Sequence, residues 1–156
     1  MSAMPAVEAD VQYASVLEEA HKEASRHKWI ESQKVGRDLG MEAIRQWYDR
    51  YSWAFLRHCW FLHLQGIRFY VEFDAEDFGL FDREFSDPAD RELLREIVER
   101  IYHGAENLDI ILWATRSNLD MERIHMILER LDINARRLPW DSLLAMVEKE
   151  TAGIQA

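Results

Sequence analysis

The sequence predicts a mainly α-helical protein, a compact bundle of four to five helices with one short β-hairpin between its two helical halves. Three observations carry this expectation. The 156 residues include only 6 Gly and 3 Pro, too little turn punctuation for an all-β fold. Apolar residues recur at spacings of three and four along most of the chain. One stretch, about 67–73, alternates apolar and polar residues instead, which is the period of a strand.

Taken in order, residues 1–7 are expected to form a loose tail and residues 8–156 a single helical domain. A chain of this length buries roughly 70% of its unfolded surface without disulfide or metal staples. From 8 to about 34 a helix is expected, with Val11, Ala14, Leu17, Ala20 and Ala24 as its apolar stripe. These side chains are mostly small, so the helix should pack lightly or fray. Gly36 and Gly40 bracket a break, each costing about 1 kcal/mol against Ala inside a helix.

A second helix is expected from Met41 to Leu64. Ile44, Tyr48, Tyr51, Phe55 and Leu62 fall on one face, flanked by Trp47, His58 and Cys59. The opposite face starts polar with Gln46, Asp49, Arg50 and Arg57, then turns apolar through Leu56, Trp60, Phe61 and Leu64. Its end is therefore covered on both sides, either by its own chain or by a partner. After Gly66, Ile67, Phe69, Val71 and Phe73 alternate with Arg68, Tyr70 and Glu72, which predicts a strand over 67–73 pairing back on 78–82.

Asp87-Pro88-Ala89-Asp90 is a helix start, with a capping Asp and Pro at the first helical position. Leu94, Ile97, Val98, Ile101, Ala105, Leu108, Ile111 and Leu112 keep helical phase through Gly104 and predict one long helix. Another follows Ser117-Asn118, with Met121, Ile124, Leu128 and Leu131 as its core face. Leu143, Leu144 and Val147 predict a short terminal helix over 141–150.

Composition narrows the partners. The net charge is −10, which repels a polyphosphate, so a nucleic-acid partner is not expected. The most apolar run, 51–64, is broken by Arg57, His58 and His63, so no membrane span or membrane partner is expected. The N-terminus lacks the basic and apolar regions of a signal peptide. Cys59 is the single cysteine, which excludes an intramolecular disulfide and suits a cytoplasmic location.

Several constellations bear on chemistry. Glu18/His21 and Glu122/His125 are Glu-x-x-His pairs, the spacing of helical carboxylate metal sites; a helical metalloprotein using these four residues is the alternative reading. The same spacing arises by chance in a chain with 29 acidic residues and 6 His, and two solvated helix faces are the simpler account. The acidic run around Asp74 fails as a calcium loop, because Phe78 and Phe85 fall where oxygen ligands are needed. Ala114, Asn118 and Ile124 have helix-turn-helix offsets, so a DNA-binding regulator is a second alternative. The helix that would read the bases carries Asp120, Glu122 and Glu129 against Arg123 and Arg130, which argues for a packed helical pair instead. No Walker A loop, Gly-x-Gly-x-x-Gly or Gly-x-Ser-x-Gly occurs, and Cys59 lies inside an apolar helix, so neither a cofactor nor catalysis is expected.

The remaining signal is aromatic: 6 Trp, 5 Tyr and 7 Phe. Trp and Tyr anchors beside Arg are the residues enriched at interface hot spots. The expected function is accordingly a non-catalytic cytosolic protein–protein interaction protein, an accessory or adaptor that binds another protein or itself. Trp53, Arg57, Trp60 and Phe61 on the second helix are one expected partner surface. The basic, aromatic stretch 27–40 is the other, with Trp29 as anchor and Lys34 and Arg37 as charge contacts.

Overall fold

The computed structural model describes residues 13–133, together with Ala145 and Lys149. The tail expected at 1–7 lies outside the described residues, as does most of the terminal helix expected over 141–150. The described chain is mainly α-helical. In order it runs β1 (Tyr13–Ala14), α1 (Val16–Val35), α2 (Met41–Leu64), β2 (Phe69–Tyr70), a 3-10 turn (Ala75–Asp77), α3 (Leu80–Glu84), α4 (Pro88–Tyr102), α5 (Asn107–Arg116) and α6 (Met121–Leu131).

Helix α2 is the axis, and its two halves serve different cores. Its first half buries Ile44, Trp47 and Tyr48 against Ala20 and Ala24 of α1. The small residues of α1 do not loosen this pair as expected: they let the bulky rings of α2 close onto the helix backbone. The second half turns its buried surface round. Leu56, Cys59, Trp60, Phe61 and Leu64 join Phe81 and Phe85, then Leu94, Ile97 and Ile101 of α4 and Ile110 of α5, then Ile124, Ile127 and Leu131 of α6. Tyr51, expected on the core face, is exposed.

Helix α1 starts later than expected, because the chain before it pairs as β1. Ser15 is its N-cap and accepts from the Glu18 amide at 3.3 Å. A carboxylate distant in sequence completes the cap: Glu72 Oε1 accepts from the Val16 amide at 2.7 Å, and Oε2 from the Ser15 hydroxyl at 2.5 Å. This satisfies amides that every helix N-terminus leaves open.

The hairpin over 67–73 and 78–82 does not form. Strand β2 pairs in parallel with β1, Tyr13 opposite Phe69, and Leu80–Glu84 is helical. The reason is His63, fully buried on α2. Its Nδ1 accepts from the Tyr70 amide at 3.1 Å and its Nε2 lies 2.8 Å from the Asp74 carbonyl, which fixes the Nε2–H tautomer. The backbone groups a hairpin ladder would use are thus spent on an imidazole. Gly66 and Gly79 pass so closely that a Cβ on Gly66 would lie 3.3 Å from the Gly79 Cα.

The long helix expected through Gly104 is two helices. Gly104 adopts φ 98°, and the Glu106 amide donates to Asp109 Oδ2 at 2.9 Å, starting α5 afresh. The restart shifts the helical phase, so Leu108 and Leu112 are exposed where core residues were expected. The start of α4 is as the sequence predicts: Asp87 accepts from the Ala89 amide at 2.9 Å, with Pro88 in the first position.

Candidate interaction site

Two of the residues expected to anchor a partner are core. Trp60 is 1% exposed and Phe61 fully buried. The Trp60 indole N–H donates to the Leu131 carbonyl at 2.7 Å, satisfying an acceptor at the end of α6. The apolar end of α2 is covered by its own chain. Arg57 is also turned inward: its Nη2 lies 3.0 Å from both carboxylate oxygens of Glu106 at the start of α5. Its guanidinium lies 5.7 Å from the ring centre of Trp53, which is 43% exposed and lies beside this internal tie.

The other expected surface is differently built. A groove of about 580 Å³ runs along the outer side of α1 and is closed by the turn after it, lined by Ser25, Lys28, Trp29, Gln33, Arg37 and Asp38 among others. Positions 25, 29, 32, 33 and 36 share one helical face, so the stripe opposite the buried alanines forms the floor. Gly36 takes a left-handed φ of 75° and donates its amide to the Ser32 carbonyl at 2.9 Å, ending the helix. The Ser32 hydroxyl then accepts from the Leu39 amide at 3.1 Å and Asp38 from the Gly40 amide at 2.9 Å, which fixes the wall that carries Arg37.

Trp29 is 65% exposed and has no ring, cation or hydrogen-bond partner among the described residues. The other tryptophans among the described residues are engaged. Trp47 packs edge-on against Tyr48 and Phe55, Trp60 is core, Trp53 lies by Arg57, and Arg100 covers the Trp113 ring at 3.9 Å. Arg37 is likewise exposed and unpaired among the described residues. Lys34 is on the far side of the helix from this groove, 3.0 Å from Glu31. That contact holds the Glu31 carboxyl below its ordinary range. Of the residues singled out in the sequence, Trp29 and Arg37 line this groove; Ser25 and Lys28, which lies 3.7 Å from Asp38, line it without having been singled out. Reading the stripe opposite Ala20 and Ala24 would have found Ser25.

A second groove, about 370 Å³, was not visible in the sequence. Phe81, Leu94, Val98 and Tyr102 form its apolar floor, with Arg91, Arg95 and Glu99 at its rim.

The alternative chemistries do not assemble. Among the described residues no group of three or more His, Cys, Asp or Glu side chains could hold a metal ion, so Glu18, His21, Glu122 and His125 do not come together as the alternative reading requires. Helices α5 and α6 do pack as a pair through Ala114 and Ile124, with Asn118 at φ 59° between them. Yet Arg123 is tied to Asp90 and Arg130 to Glu84, so the basic side chains of α6 are bound within the chain rather than offered to phosphates. Burial pushes the Cys59 thiol up to about 12, the opposite of what a nucleophile needs. Among the described residues no helix is long and apolar enough to cross a membrane. No protein-family model matches the chain, and no curated protein or solved structure is significantly similar to it.

Proposed function

We propose that this protein is a non-catalytic, cytosolic accessory or adaptor that docks a protein partner in the groove on α1, with Trp29 as the anchor. The observation that carries the reading is the unengaged Trp29 ring on the floor of a groove whose wall is fixed by Ser32 and Asp38. An indole left mostly in water forgoes a burial worth roughly 25 cal/mol per Å² of apolar surface. Tryptophan is also the side chain most enriched among residues whose truncation abolishes binding. A pre-ordered wall lowers the entropy cost of docking.

The test is quantitative capture of partners by the tagged protein from its own cells, comparing the natural chain with Trp29→Ala and with Arg95→Ala in the groove on α4. The reading expects Trp29→Ala to reduce recovery of the main partner at least about tenfold, which is about 1.4 kcal/mol. Its helical circular dichroism should stay unchanged, and Arg95→Ala should bind normally. Equal recovery by Trp29→Ala and the natural chain would falsify the reading. If the partner is a second copy, sedimentation of the purified chain detects a dimer that Trp29→Ala dissociates.

A further inference from the structure

The charges around Trp29 identify what kind of segment fits there. The charged side chains lining the groove beside Trp29 are Lys28 and Arg37 against Asp38, in a chain whose net charge is −10. Lys28 and Lys34 each have an acidic neighbour, Asp38 and Glu31. Arg37 has none among the described residues, although acidic residues outnumber Lys and Arg 29 to 19. Elsewhere in the chain Arg57, Arg123 and Arg130 each reach a carboxylate, on Glu106, Asp90 and Glu84. Arg26 and Arg116 also lack a carboxylate partner among the described residues, but of the three only Arg37 lines the groove beside the unengaged Trp29 indole.

Resting on the docking reading above, we infer that the groove takes an acidic segment of the partner. One of its carboxylates pairs with Arg37, and a neighbouring apolar side chain covers Trp29. A guanidinium donates two parallel N–H bonds to a carboxylate, which gives orientation as well as attraction. The chain's overall negative charge does not prevent this, because fields are screened over about 10 Å at 0.1 M salt and the local surplus of cations decides. The C-terminal end of α1 carries partial negative charge, and Lys34 in its last turn offsets it.

The experiment follows the Trp29 indole N–H resonance of the 15N-labelled full chain, assigned with Trp29→Phe. Two probes are titrated: acetyl-Asp-Glu-Leu-Phe-Asp-Glu-amide and its counterpart with Asn and Gln replacing the acids. The acidic peptide should move the Trp29 signal to saturation. Its affinity should fall at least about tenfold between roughly 50 mM and 500 mM salt. Arg37→Glu should abolish the response, and the amide peptide should produce little shift. Equal binding of the amide peptide overturns the acidic-segment inference while leaving the docking reading intact. No Trp29 response to either peptide also overturns it, and the capture experiment with Trp29→Ala then decides the docking reading separately. Co-sedimentation with phosphatidylserine vesicles that Arg37→Glu removes, without any peptide response, assigns the groove to an anionic lipid surface and rejects the peptide.

Discussion

The Cys59 thiol lies within the larger core, and burial pushes it up to about 12 from an ordinary value of 9.0. Tyr48, on the same helix, is raised by burial from 10.0 to about 12. Both groups are neutral when protonated, and both are raised in the folded state. Their contribution to stability is therefore complete below about pH 9 and is lost as pH climbs toward about 12. Chemical denaturation at stepped pH should show this alkaline decline, and Cys59→Ala should flatten its lower part. A thiol reagent at pH 8 should leave Cys59 unmodified until the chain is unfolded. The tryptophans separate at this level too. Phe61→Ala should cost about 3–5 kcal/mol through a cavity in the core. Trp60→Phe should cost about 1–3 kcal/mol by stranding the Leu131 carbonyl. Trp29→Ala should stay within about 0.5 kcal/mol of the natural chain in the same denaturation assay. Helical angles alone could not make this distinction, because they place Trp53 and Trp60 around α2 without saying how deep each lies.

Among the elements, α1 depends on a residue that no local pattern reveals. The Glu72 carboxylate caps its first turn across more than fifty positions of sequence, binding both the Ser15 hydroxyl and the Val16 amide. Removing it in Glu72→Ala leaves part-buried donors without this acceptor and should cost about 1–2 kcal/mol. Hydrogen exchange should accelerate in the first turn of α1 more than at Gly36. The opposite order would mean that Ser15 alone suffices as the cap. The same long-range chemistry explains which elements the sequence revealed. Asp87-Pro88 starts α4 through adjacent atoms, so its signature was legible. The strand over 67–73 was misread because its alternation is real in sequence but His63, brought from α2, takes the Tyr70 amide. Gly104 was misread because apolar spacing survives a break that a capping Asp109 makes real.

For the molecule as a whole, helical class and the central position of α2 were legible, since both follow from period and from the scarcity of Gly and Pro. What the sequence left open was whether Leu56, Trp60, Phe61 and Leu64 meet the protein or a partner. Helices α4 and α6 and the segment holding Phe81 and Phe85 close over them, and so they are core. That closure leaves the corner after α1, where Trp29 and Arg37 are unengaged among the described residues, as the proposed docking surface. The stretch stood out by its composition, but its shape came from a Gly36 turn and two side-chain caps that spacing does not encode. The most direct measurement is hydrogen exchange by mass spectrometry on the captured complex against the free chain. Protection should rise in peptides covering 25–38 while those covering 53–64, already core, change little. Protection gained at 53–64 or on α4, with 25–38 unaltered, would place the interface elsewhere and contradict the account.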